Sequence, residues 1–141
     1  MLDPETIPPV GATELLARYA MQRGHFRSDL TVKHHLFFPH PYQELSVTRH
    51  LKATEAEIWQ AGENIAIQQK RTLYGRSDIL ASHCLEESLR VTAQPFPDNP
   101  NHADIEGWPT AKEDQKAIAL KLAASATKLI FPPSTLSSSG E

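Results

Sequence analysis

Thr31-Val32-Lys33-His34-His35-Leu36-Phe37-Phe38, followed after Pro39-His40-Pro41-Tyr42-Gln43 by Glu44-Leu45-Ser46-Val47-Thr48-Arg49, is the stretch on which the fold class turns. In its first half Val32, His34, Leu36 and Phe38 alternate with Lys33, His35 and Phe37. In its second half Leu45 and Val47 alternate with Ser46 and Thr48. A period of two in branched and aromatic residues is the pattern of a strand with one buried face. The prolines between the halves are turn material, so the stretch predicts a hairpin.

Upstream, Leu15, Leu16 and Tyr19 give residues 13–22 helical spacing, with Gly24 as a stop. Downstream, Thr54 and Glu57 have the spacing of a capping box, ahead of an apolar face of Ile58, Trp59, Gly62, Ile65 and Ala66. Residues 71–74 read as a short strand broken by Gly75, and 89–93 as another strand. Residues 78–87 fit either a strand or a short helix, because their apolar positions do not decide the period. Pro95, Pro97 and Pro100 make 94–101 an extended loop, and a long helix is expected from Thr110 to about Ile130. Strand pairs without regular βαβ alternation predict an α+β fold. Its antiparallel sheet comprises the hairpin plus one or two further strands and is covered by two or three helices. Ile58, Trp59 and Ile65 from one helix, and Ile118 and Leu122 from the other, are expected to meet Val32, Leu36, Leu45 and Val47 on one side of the sheet.

A length of 141 residues with 40% hydrophobic and 22% charged residues is that of one globular domain. Three prolines at the start and a Pro-Pro, Ser-rich end predict disordered tails over 1–11 and 132–141, leaving 12–131 as the folded unit. The single cysteine, Cys84, excludes an internal disulfide and reads as a buried thiol beside Ile79, Leu80 and Leu85. No signal-peptide pattern opens the chain, and no apolar run approaches the roughly 18–20 residues of a bilayer span. A cytoplasmic location with no membrane association is therefore expected.

The net charge of −3 conceals an asymmetry. Between Arg18 and Lys52 stand six Lys/Arg against two acids, together with five of the seven histidines. Between Asp78 and Asp114 eight acids face only Arg90 and Lys112. The basic segment, with Arg27, Lys33, Arg49 and Lys52, makes RNA or DNA a candidate partner. Mutual neutralisation of the two segments inside the fold is the plainer alternative.

The densest chemical cluster is Asn101-His102-Ala103-Asp104-Ile105-Glu106-Gly107-Trp108-Pro109-Thr110. Thr110 and Glu113 have capping-box spacing, so the cluster is expected to be pinned to a helix start, with Gly107 supplying an unusual backbone angle. Asp104 or Glu106 is expected to orient the His102 imidazole. His102 and Asp104 have an H-x-D spacing, and His34, His35, His40, Asp78 and Glu106 would have to complete any metal set. No metal or cofactor is expected, because phosphate-cradling glycine loops, C-x-x-C, H-E-x-x-H and G-x-S-x-G are all missing. Acid–base cleavage of a phosphodiester needs only imidazoles and a cation, which makes His34, His35, His102, Asp104 and Arg49 the catalytic candidates. Lys33, Arg49, Arg76 and Trp108 are the binding candidates, Trp108 as either a stacking platform or a plug under the last helix.

The hairpin, the capped helix and His-Ala-Asp-Ile-Glu-Gly-Trp-Pro at 102–109 together resemble a family of small bacterial proteins. That family carries a similar H-A-x-I-x-G-W-P loop, followed by a lysine- and glutamine-bearing helix like residues 112–115. The resemblance spans roughly residues 30–127, rests mainly on 102–109, and implies a bacterial origin without bringing an activity or site residues. The leading expectation is a small non-catalytic binding or accessory subunit with a protein partner. A metal-independent phosphodiesterase or ribonuclease, and a nucleic-acid binder acting through the basic hairpin, are the alternatives.

Overall fold

The computed structural model describes residues 1–133. The elements are β1 (Leu15–Ala20), β2 (Leu45–Arg49), α1 (Glu55–Gln69), β3 (Gly75–Leu80), α2 (Ala81–Glu86), β4 (Arg90–Ala93), β5 (His102–Glu106) and α3 (Lys112–Ser125). Two 3-10 turns, Arg23–His25 and His34–Phe37, lie between β1 and β2. The strands form one antiparallel sheet in the order β3-β1-β2-β5-β4. The α+β class is as expected. Among the described residues no helix is long and apolar enough to cross a membrane.

The helices sit on both faces of the sheet, which corrects the expectation of a single covered side. Successive strand residues point to opposite faces. On β1, Leu16 and Ala20 join the large core formed with α2, α3 and the second 3-10 turn, where Leu36, Phe37, Cys84, Ala119 and Leu122 are buried. Ala17 and Tyr19 point the other way and pack against Ile58 of α1. Tyr19 donates to the Ile58 carbonyl, and its ring lies against Gly62, where an added Cβ would come within 2.6 Å of it.

Local signals explain where some elements start and stop. Thr54 and Glu57 close both hydrogen bonds of the expected capping box, and α1 ends at Lys70 in the left-handed region. Gly107 follows β5 at φ +87°, the backbone angle expected of it. The second capping box does not form. Ala111 precedes α3 without a side-chain cap, and the Gln115 side chain instead donates to the Pro109 carbonyl.

Four further expectations are corrected. Residues 13–22 contain a strand rather than a helix, because β1 is buried on both faces and so carries no period-two signal. Residues 31–38 do not form the first arm of a hairpin: His34–Phe37 is a 3-10 turn that buries the adjacent Leu36 and Phe37 together. Residues 102–106 are a strand in the sheet and not a loop. The start of the chain is docked and not disordered: Leu2 is buried, its N–H bonds the Asn101 side chain, and Arg49 donates to the Pro8 carbonyl. Residues 78–87 turn out to be both alternatives in succession, a strand to Leu80 and a helix from Ala81. The expectation for the C-terminal tail falls, beyond Pro133, outside the described residues.

Candidate functional site

The site begins with an interruption in the sheet. β1 and β2 pair only at Leu16–Arg49 and Ala17–Thr48, although both strands continue. Past that point they part. Arg18 reaches into the opening, with Nε donating to the Leu36 carbonyl at 2.8 Å and a terminal nitrogen to the Ser46 carbonyl at 2.9 Å. A side chain thus satisfies backbone that a continuous ladder would have paired.

The opening is a cavity of about 170 Å³, walled by β1, β2 and the C-terminal half of α1. Arg18, His25, Arg71, Ser46, Thr48 and His102 all line it. His25 closes the first 3-10 turn, and Arg71 follows the left-handed exit of α1. Among the described residues none of Arg18, His25 and Arg71 forms an ion pair with a carboxylate. Loss of solvent lowers the Arg18 pKa to about 10, so it remains a cation at neutral pH. Burial first, and then the charges of Arg18, His35 and Arg71, push His25 down to about 4. The buried His25 Nδ1 has no hydrogen-bond partner.

His102 is held firmly. It is 4% exposed, its ring stacks on Phe96 with centroids 4.0 Å apart, and Nδ1 lies 2.8 Å from the Gln94 carbonyl. A carbonyl only accepts, so Nδ1 carries the proton and Nε2 presents the lone pair of the neutral ring. Asp104 Oδ1 is 3.6 Å from Nε2, too far for a hydrogen bond. The Gln94 backbone, rather than the expected Asp104 or Glu106, therefore sets the orientation of the ring.

Glu44, Asp104 and Glu106 bring carboxylate oxygens within 4.8 Å of one another, the spacing of a metal-ligand set among the described residues. Burial raises the Asp104 pKa, and the neighbouring Glu44 and Glu106 charges raise it further. Glu44 is exposed.

The residues singled out in the sequence do not converge. Arg49 is 0% exposed, pairs with both Glu14 carboxylate oxygens and donates to the Pro8 and Pro9 carbonyls, which makes it a clamp for the N-terminal segment. Arg76 is buried over the Trp59 ring, with its guanidinium taken up by Glu55 and Asp78. Trp108 is buried and donates to the Ile105 carbonyl, so it plugs the entrance to α3. Lys33 precedes the second 3-10 turn, and His34, stacked 3.9 Å from His35, lines a separate groove against α3. His35 lines a wider depression that adjoins the cavity at Arg18, His25, Ser46 and Arg71. With Arg49 enclosed and residues 31–49 not a hairpin, the expected basic hairpin surface does not exist. Burial also pushes the Cys84 thiol up to about 12, which makes it inert as expected of a core cysteine.

Sequence reasoning missed Arg18, His25 and Arg71 as a group. Two of them belong to the basic segment that the charge asymmetry had marked, but nothing in their spacing brings them to Arg71. No family model, no curated protein and no solved structure matches this chain.

Proposed function

We propose that this chain is a small non-catalytic binding or accessory protein that receives its ligand in the cavity between β1, β2 and α1. The observation that carries this reading is the parted pair of strands. An antiparallel ladder that stops after two residue pairs and holds its opening with a half-buried arginine forgoes stability for access. The resemblance at residues 102–109 adds a bacterial origin, and a cytoplasmic setting and a protein partner belong to the same proposal.

The test is to fill the cavity. Ser46→Phe places a ring in it from an exposed strand position. Thermal shifts of the parent chain would be measured against small anions, nucleotides, amino acids and short RNA. At least one class should stabilise the parent and fail to stabilise Ser46→Phe. Equal shifts for both proteins, or none for either, would overturn the reading.

A second reading is favoured by His102, whose fixed ring and free Nε2 are those of a general base in the wall of the same cavity. Phosphodiester cleavage would use it to take a hydroxyl proton. A labelled RNA left intact by the parent, or cut equally by His102→Gln, would remove that reading.

A further inference from the structure

We infer that the cavity takes a phosphate group, free or at the end of a small ester, with Arg18, Arg71 and His25 as its donors. The inference rests on the cavity being the ligand site and adds the chemical class of the ligand. Three basic side chains from three separate parts of the chain line one opening, and no carboxylate answers any of them. Arg18 uses one N–H of Nε and one of a terminal nitrogen on backbone carbonyls, which leaves three of its five donors for a ligand. The nearby Arg76 shows the contrasting case, a desolvated arginine matched by two acids. A half-buried cation with no carboxylate partner leaves its charge available to an anion.

Size and geometry select the anion. A cavity of about 170 Å³ is smaller than the roughly 300–1,000 Å³ of sites that enclose a drug-sized ligand, so one compact group fits. A carboxylate is planar and offers two oxygens, which one arginine fork can saturate. Donors arriving from β1, from the first 3-10 turn and from the end of α1 suit a tetrahedral anion with oxygens in several directions. His25 lines the cavity, and its Nδ1 is buried without a hydrogen-bond partner. Ser46 and Thr48 line the same space.

Isothermal titration of the full chain at low ionic strength, with inorganic phosphate, adenosine monophosphate and acetate in separate arms, tests this. Phosphate or the monoester should bind, and acetate should bind at least about tenfold more weakly, since one charge-assisted hydrogen bond carries about that factor. Tighter binding of the inorganic ion assigns the free anion, and tighter binding of the nucleotide assigns an ester. Arg71→Gln, at an exposed position outside the helices and strands, should weaken binding about tenfold with an unchanged melting temperature. Arg18→Met should weaken it at least as much. Phosphate affinity unaltered in both variants, or acetate bound as well as phosphate, would overturn the inference. If a neutral compound binds the parent but not Ser46→Phe while phosphate does not bind, the cavity remains the ligand site and only the phosphate assignment falls.

Discussion

Arg76, buried on β3, and Arg18, half-buried on β1, are cations on adjacent strands that point to opposite faces of the sheet, and they are treated in opposite ways. Arg76 gives both terminal nitrogens to Glu55, shares Nε with Asp78, and lies 4.9 Å over the Trp59 ring. Asp78 in turn receives His50 at 2.9 Å. Burial works against the Arg76 charge, but the Glu55 and Asp78 contacts outweigh it and hold its pKa above the ordinary value. Arg18 meets only carbonyl dipoles, and burial lowers its pKa unopposed. A matched buried charge fastens elements to one another, here α1 to β3. An unmatched one beside a cavity leaves its electrostatic potential for something that is not part of the chain.

The largest expected effect breaks the first half of that contrast. Arg76→Met should destabilise the fold by about 3–5 kcal/mol in urea unfolding, because Asp78 would stay buried with only His50 left to answer it, and Glu55 would lose its partner. A loss below about 1 kcal/mol would mean that the network is solvated in solution and that the two arginines do not differ in kind.

Gly62→Ala probes the wall of the cavity next to that network. Its Cβ would fall 2.6 Å from a Tyr19 ring carbon, and the ring cannot swing freely because its hydroxyl is bonded to the Ile58 carbonyl. Overpacking of this kind costs about 1–3 kcal/mol. An unchanged unfolding midpoint would show that α1 slides over the sheet and that the cavity width is not fixed.

Arg18→Met sharpens the second half. Two carbonyls lose a donor but stay within reach of water, so the net cost should be about 1–2 kcal/mol, clearly below that of Arg76→Met. Equal costs for the two substitutions would erase the distinction.

Acid should affect the two sides over different pH windows. Burial alone would raise the Asp78 pKa, but His50 and Arg76 hold it below the ordinary 3.8. The Arg76 hydrogen bonds hold Glu55 below its ordinary 4.5. A depressed folded-state pKa gives stability that is present above the unfolded value and lost as pH falls through the folded one. Unfolded His25 takes up a proton near its ordinary 6.5, whereas the folded chain refuses it until about 4, so stability should fall as pH drops through that window. A second decline should follow below about 4 as Asp78 and Glu55 protonate, and Glu55→Gln should make that lower step shallower. A curve that stays flat from pH 7 to about 4.5 would mean that His25 is open to solvent.

Legibility followed the range of the interactions involved. The Thr54–Glu57 capping box and the positive φ of Gly107 were readable because each is settled within a few residues. β5 was readable in principle, since His102, Asp104 and Glu106 alternate with Ala103 and Ile105 over five positions. The preceding prolines and the acidic side chains disguised it as a loop. β1 had no such signal, being enclosed by α1 on one face and the main core on the other. Arg49 and Arg76 looked like free cations only because their partners, Glu14 and Glu55, lie 35 and 21 residues away.

The amino-acid sequence by itself determined the α+β class, the start of α1, the turn after β5 and a basic segment rich in histidine. These follow from periodicity, capping and composition, which act over a turn or two of chain. Only the tertiary structure decided which helix covers which face, which arginines are neutralised, and that Arg18, His25 and Arg71 share an opening. The reason is that burial and charge pairing depend on distance in space. Residues 18 and 71 become neighbours only once β1 and β2 have parted and α1 has been laid across the gap.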